Sequence, residues 1–228
     1  MGLDAAGTGL HAPVGSGADL VDEVVDQPVS RSELVYHGLV WDVRRDTVDL
    51  GDVGPVTREY VEHPGAVHVL ALRELDGVDH ILMIRQYRHP VRTMEWELPA
   101  GLLDVAGEPP WEAAARELAE EADLVAGAWH VLIDFASSPG GMSEALRVFL
   151  ARDLRDVEDG DRFEREAEEA GMRTLWVPLD EAYAAVLAGQ VHNPGAVIGV
   201  LAAHGAREQG WTPLRPHDEP WPWHPAYR

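Results

Sequence analysis

From Glu33 onward the chain alternates short apolar runs with turn-forming residues. ELVYHGLVWDV, PVTREYVEH, AVHVLALREL and DHILMIRQYRH are rich in Val, Leu, Ile and Tyr. Gly51, Gly54 with Pro55, His63-Pro64-Gly65 and Asp76-Gly77 separate them. Such runs read as strands, antiparallel in part. The texture turns helical in GEPPWEAAARELAEEADL, residues 107–124. Pro109 and Pro110 suit a first helical turn, where a missing N–H costs nothing. Ala113, Ala114, Ala115 and Leu118 favour helix, and Ala114, Leu118 and Ala122 mark its packed side. Strands are expected again at Trp129–Phe135, Ala145–Ala151 and Arg173–Pro178. Two helices follow. One takes Asp180 as its N-cap and ends near Gly189; the other starts at Asn193 with Pro194 in its first turn.

The organisation is a loose arm over residues 1–30, a strand subdomain over 31–63, a main domain over 64–210 and a Pro/Trp-rich tail over 211–228. The tail is either loose or packed on the body or on a partner subunit. No internal repeat is visible. Strands outnumber helices too far for a doubly wound sheet, so the fold class is α+β, or mixed α/β.

Composition narrows the chemistry. The 228 residues carry a formal net charge of −22, which argues against a nucleic-acid backbone as partner. There is no cysteine, which removes disulfides, thiolate metal sites and cysteine nucleophiles. The N-terminal residues lack the charged start and apolar core of a secretory signal, and no apolar run is long enough for a membrane span. A cytoplasmic protein that engages no membrane is expected.

The acidic face of the central helix is the strongest chemical feature. Glu117 and Glu121 lie four apart with Glu120 beside them, and like charges at that spacing cost roughly 0.2–0.5 kcal/mol a pair. Arg116, four before Glu120, is expected to hold Glu120 and leave Glu117 and Glu121 for another role. Hard divalent cations take oxygen ligands and complete their shell with water and phosphate, so two such glutamates make half a metal site. On spacing alone, a solvated acidic face is the commoner meaning.

The flanks change that balance. ELPAGLLDVAGEPPWEAAARELAEEADL resembles the signature of the Nudix hydrolases, G-x5-E-x7-R-E-U-x-E-E-x-G-U, where U is aliphatic. Glu108 is followed by seven residues and then by Arg116-Glu117-Leu118-Ala119-Glu120-Glu121-Ala122-Asp123-Leu124. Six residues, not five, separate Gly101 from Glu108, and Asp123 stands at the helix-ending glycine. Asp tolerates left-handed backbone better than most residues, so an altered cap with an intact acidic face is expected. The resemblance implies a Nudix α/β/α sandwich with an N-terminal antiparallel strand subdomain. It also implies a Mg²⁺ site, with Mn²⁺ able to replace it, on Glu117, Glu121 and the Ala100 carbonyl, with Glu120 assisting.

Outside the box the chain is similar to the ADP-ribose pyrophosphatase branch of that family. SSPGGMSE, residues 137–144, matches a segment that sets Ser138, Pro139 and Gly140 against substrate and lines the site with Glu144. TREYVEHPGAV and IRQYRHP match segments whose arginines, here Arg58 and Arg88, hold diphosphate or base; guanidinium suits two phosphate oxygens at once. REAEEAGM, residues 165–172, matches an acidic loop carrying the general base, here Glu166, and a further metal ligand, here Glu168. Glu164 and Glu169 compete for that first role. The branch stacks adenine on an N-terminal aromatic; Leu39 occupies the matching position, and Tyr36 or Trp41 would have to serve. Without the resemblance, each arginine reads as an ion-pair partner, SPG as a turn and the acids as a wet loop.

The reading is therefore Mg²⁺-dependent hydrolysis of a nucleoside diphosphate sugar, ADP-ribose to AMP and ribose 5-phosphate, by a homodimer. The alternatives are another nucleoside diphosphate sugar, a dinucleotide, or a non-catalytic module that senses ADP-ribose.

Overall fold

The computed structural model describes residues 9–158, 160, 163 and 172–227. Three strands, β1 (Val29–His37), β2 (Asp42–Asp49) and β3 (Pro55–Glu62), form an antiparallel meander of their own. Cross-strand ion pairs brace both of its faces: Arg44 Nε meets Glu62 on one and Arg45 Nε meets Glu59 on the other, each at 2.7 Å. Leu34, Val35, Tyr36, Leu39 and Val40 stay exposed.

The main sheet contains β4 (Ala66–Leu75), β5 (Val78–Arg88), β8 (Leu124–Ala136), β9 (Ala145–Asp156), β10 (Arg173–Pro178) and β11 (Arg215–Pro216) in the order β10-β5-β4-β9-β8-β11. Short β6 (Thr93–Glu97) pairs with β5, and β7 (Ala100–Leu102) pairs with β4. The β4–β9 pairing is parallel; the other pairings are antiparallel.

β4 shows why a sandwich forms. Its residues 66–72 are all buried, the near-continuous run expected of a strand covered on both faces. With side chains alternating, Val67, Val69 and Ala71 join Leu82, Phe149, Ala113, Ala114 and Leu118 under α1 (Pro110–Ala122). Leu70 and Leu72 join Ile81, Val148, Leu150, Leu179, Ala196 and Val200 under α2 (Leu179–Leu187) and α3 (Pro194–Glu208). The result is the expected mixed α/β/α sandwich. Among the described residues no helix is long and apolar enough to cross a membrane.

Several local expectations hold and others shift. Pro110 opens α1, and Asp123 closes it at φ 53°, ψ 35°, the left-handed geometry its signature partner glycine would take. Asn193 caps α3 by accepting the Ala196 N–H at 3.1 Å. Asp180 is not the cap of α2; Pro178 precedes the helix, and Asp180 lies in its first turn. There the carboxylate meets Arg207 of α3, and that hydrogen bond lowers its pKa. It also faces the positive end of the helix dipole. β8 begins at Leu124, ahead of its expected start at Trp129, and β9 runs on to Asp156, past its expected end at Ala151, where Arg152, Asp153, Arg155 and Asp156 mask the strand pattern. The tail packs on the body, with Trp221 and His224 buried.

Leu118 carries α1 onto the sheet and is fully buried. Leu118→Ala should destabilise the protein by roughly 2–5 kcal/mol, the usual cost of such a cavity. Urea unfolding followed by circular dichroism measures it; a loss below the lower bound would mean the helix is held chiefly by its polar contacts.

Candidate active site

The site is built where β7 crosses the start of β4 and meets α1. Ala66, Val67 and His68 pair with Leu102, Gly101 and Ala100. Ala100 donates its N–H to Glu121 Oε2 at 2.8 Å, so the buried Glu121 is fixed to the strand. Gly101 is pressed by Glu117: a Cβ there would lie 2.0 Å from that carboxyl group. Only a residue without a side chain lets the helix face approach so closely.

Arg116 organises the rest. Its Nε and Nη2 donate to the two oxygens of Glu108, both at 3.1 Å. Its Nη1 donates to Glu117 at 2.6 Å and to Glu120 at 3.3 Å. The expectation that it holds Glu120 alone, leaving Glu117 without it, is therefore corrected. One guanidinium spans all three carboxylates, and its shortest bond goes to Glu117. Hydrogen bonds to Glu108 first, then the charge of Glu117, push its pKa further up. Gly107, at φ 82°, makes the turn before Glu108.

Beside this face lies a cavity of about 850 Å³ lined by Trp41, His63, His68, Arg88, Ala100, Gly101, Glu144, Asn193 and others. Arg88 is pinned by fully buried Glu97, with Nε and Nη2 at 2.7 and 2.6 Å from its two oxygens. Glu144 accepts from Ser137 Oγ and meets His63 Nε2 at 3.1 Å. His63 Nδ1 accepts the Gly65 N–H at 3.0 Å, so the ring proton is on Nε2 and points at Glu144. Burial lowers the His63 pKa. Trp41 stacks on that ring at 4.1 Å.

Burial, with Arg88 nearby, pulls the His68 pKa down to about 4. It packs against Gly195 in the first turn of α3, where a Cβ would come within 2.4 Å of the ring. Its Nδ1 is buried with no hydrogen-bond partner among the described residues.

The cavity thus gathers Arg88, Ala100 and Glu144 from the expected set, next to Glu117, Glu120 and Glu121. Other residues stand outside it. Arg58 is exposed on β3 and donates to the neighbouring Thr57 carbonyl at 3.0 Å. Ser138, Pro139 and Gly140 form an exposed turn, which the Gly141 carbonyl ties to the Val61 N–H of β3 at 3.0 Å. Glu164, Glu166, Glu168 and Glu169 lie outside the described residues. Sequence reasoning missed His63, His68, Glu97 and Asn193 as parts of the site. His63-Pro64-Gly65 reads as a turn, and only the lone His in the apolar run of β4 was a signal.

The donor set fits a hard divalent cation in part. Glu117, Glu121 and the Ala100 carbonyl are all oxygen donors on adjoining elements. Among the described residues no three His, Asp or Glu side chains form a complete metal cluster. A half-site is what such cations use when phosphate and water supply the other ligands.

An acidic helix face organised by Arg116 beside a cavity that holds a fixed arginine is an arrangement suited to a hard cation with phosphate oxygens. The chain belongs to the Nudix family: the NUDIX domain matches residues 62–196. It is 47% identical over 190 residues to the ADP-ribose pyrophosphatase of Mycobacterium tuberculosis (strain ATCC 25618 / H37Rv), covering 83% of this chain and 88% of that protein. It is 31% identical over 178 residues to the methanol dehydrogenase activator of Bacillus methanolicus, covering 78% and 92%. A crystal structure of an ADP compounds hydrolase superposes with a TM-score of 0.67 at 21% identity, covering 83% of this chain and 99% of that one, which supports the fold. Nudix hydrolases are in general divalent-metal dependent, and the half-site agrees with that.

Gly101→Ala tests the close approach. Displacing Glu117 by about 1 Å should cut turnover on the order of 10²-fold, with an unchanged circular dichroism spectrum. Near-normal turnover would show that Glu117 works from another position.

Proposed function

We propose that this protein hydrolyses the diphosphate of ADP-ribose to AMP and ribose 5-phosphate, with Mg²⁺ as its metal. The observation that carries the reading is the junction of the acidic face of α1 with the Arg88–Trp41–Glu144 cavity, in a chain similar over most of its length to a mycobacterial ADP-ribose pyrophosphatase. Glu117, Glu121 and the Ala100 carbonyl would hold the cation. When bound, it supplies Lewis-acid stabilisation of phosphoryl charge and lowers the pKa of a water ligand.

The chain's own groups do the remaining work. Glu97 occupies Nε and Nη2 of Arg88 and so presents Nη1 in a fixed direction, suited to a diphosphate oxygen. Trp41, backed by His63, offers a ring face to the base. Glu166 takes the proton of the attacking water and Glu168 adds a metal ligand, on the strength of the family pattern. Glu120 orients the acidic face through Arg116. The exposed apolar residues of the N-terminal sheet suit a second copy of the chain, and a homodimer would carry Arg58 and the Ser138-Pro139-Gly140 turn toward substrate. This enzyme works in the cytoplasm.

A screen with Mg²⁺ of ADP-ribose against UDP-glucose, GDP-mannose and NADH should show ADP-ribose hydrolysed with the highest kcat/KM. A preference for another of these reassigns the substrate, and tight ADP-ribose binding without turnover makes the protein a sensor. Glu117→Gln and Glu121→Gln should each lower turnover roughly 10²-fold or more, the scale of losing one charge-stabilising group. Calorimetry with Mg²⁺ should show weakened metal binding in both; unchanged binding removes the metal assignment.

Glu166→Gln should reduce kcat by roughly 10²–10⁴-fold with little change in KM, as loss of a base requires. If the large effect falls on Glu164 or Glu169 instead, the base moves to that residue.

A further inference from the structure

The C-terminal tail lies beyond the 62–196 segment that matches the family, yet it is anchored to the body at several points. β11 joins it to β8 through Arg215 and Pro216. Arg147, only 2% exposed, then reaches across from β9. It donates to the Glu219 carbonyl at 2.8 Å while holding Asp134 at 2.7 and 3.1 Å. Its guanidinium lies 4.6 Å from the centre of the buried Trp221 ring. A buried charge is tolerated only when paired and hydrogen-bonded in this way.

Past this anchor the tail turns to the residues just before β4 and to the loop just before α1. His224 Nδ1 accepts the Ala226 N–H at 3.1 Å, so Nε2 donates to the Pro64 carbonyl at 2.8 Å, just before β4. The His224 ring occupies the space over Gly65, where a Cβ would lie 2.2 Å from Nε2. The Gly65 carbonyl in turn accepts the Leu103 N–H at 3.1 Å, at the end of β7. Finally the Tyr227 hydroxyl donates to the Glu108 carbonyl at 3.2 Å. Burial, then the charge of Glu108, raises the Tyr227 pKa, so the hydroxyl remains a donor.

We propose that this tail is a positioning strap for the metal half-site, with Tyr227 as its contact. The hydroxyl holds the Glu108 backbone, the Glu108 carboxylate takes two donors of Arg116, and Arg116 holds Glu117 against Gly101. This rests on the reading of Glu117 and Glu121 as metal ligands. It adds a determinant that the family segment does not contain, and it makes the tail part of how tightly metal is held.

The test uses the full chain and Tyr227→Phe, which removes the hydroxyl and leaves the ring beside Trp221. Binding of Mn²⁺ alone, followed by electron paramagnetic resonance, should weaken roughly 2- to 10-fold, the size of one net hydrogen bond. The Mg²⁺ concentration for half-maximal turnover should rise by the same factor, while kcat and KM at saturating Mg²⁺ stay at wild-type values. Hydrogen exchange should speed up at the amides of Gly107, Glu108, Trp111 and Glu112. Unchanged Mn²⁺ affinity in Tyr227→Phe overturns the strap, provided the wild type binds Mn²⁺ and Glu117→Gln binds it more weakly. A wild-type protein that does not bind Mn²⁺ overturns the metal reading and the strap together. A fall in thermal stability with unchanged metal affinity reduces the tail to a structural brace, and that also overturns the proposal.

Discussion

The bonds of Arg116 to Glu108, Glu117 and Glu120 are the interaction on which the arrangement of the site depends. Three carboxylates drawn from one loop and one helical turn would otherwise repel. At 4 Å and an effective dielectric near 20, a single pair of unit charges interacts by about 4 kcal/mol. An arginine is suited to this because its charge is permanent and its planar fork serves several oxygens at once. The same contacts decide geometry: the bonds to Glu108 tie loop to helix, and the bond to Glu117 sets that carboxylate against β7. Electrostatic relief and positioning are one event here.

That event needs a rigid base, which the opposite side of α1 provides. Ala113, Ala114 and Leu118 are buried against Val67, Val69 and Phe149, so the helix cannot rotate to spread its charges without uncovering core. Small residues at 113 and 114 let the helix sit close to the sheet, and this closeness brings Glu117 within reach of Gly101. The capping left-handed Asp123 adds to the constraint by returning the chain directly into β8. The acidic face is tolerated because the apolar face leaves it no alternative.

How much of this was legible in the sequence follows from the distance over which each feature is encoded. α1 was readable because Pro110, the alanines and Leu118 are all within a few turns, and the Glu117–Glu121 pair because helix period alone puts it on one face. β4 was readable as a strand from an apolar run broken only by His68, while its burial on both faces became visible only in the fold. Arg116's choice of Glu108 was not readable from helix spacing, since Glu108 belongs to the preceding loop and meets it only after Gly107 turns. Asp180 looks like a cap because of its residue type, but Arg207, which draws it elsewhere, comes from the next helix. His63 and Glu144 are far apart in sequence and meet only because β3 runs beside the turn before β9. Arg58 and the Ser138–Gly140 turn were placed by resemblance, and the single chain leaves both exposed.

The buried side chains outside the apolar core show the same logic on a larger scale. Glu97, Arg147, His68 and His224 are each nearly inaccessible, a placement that polar groups seldom take without a reason. Glu97 fixes Arg88, Arg147 fixes the tail through Asp134 and two backbone carbonyls, and His224 fixes the segment before β4. These three have their hydrogen-bonding capacity engaged by protein groups, and each links an element at the cavity or the acidic helix to one further away. His68 differs. It is buried on the α3 side of the sheet, directly across from Ala100, with its Nδ1 lacking a partner among the described residues. A polar atom left so costs roughly 1–3 kcal/mol, and a valine at that position of β4 would avoid the cost. The satisfied groups among these four therefore build the frame of the site, while His68, a lining residue of the cavity, keeps its unpartnered Nδ1 packed at Gly195.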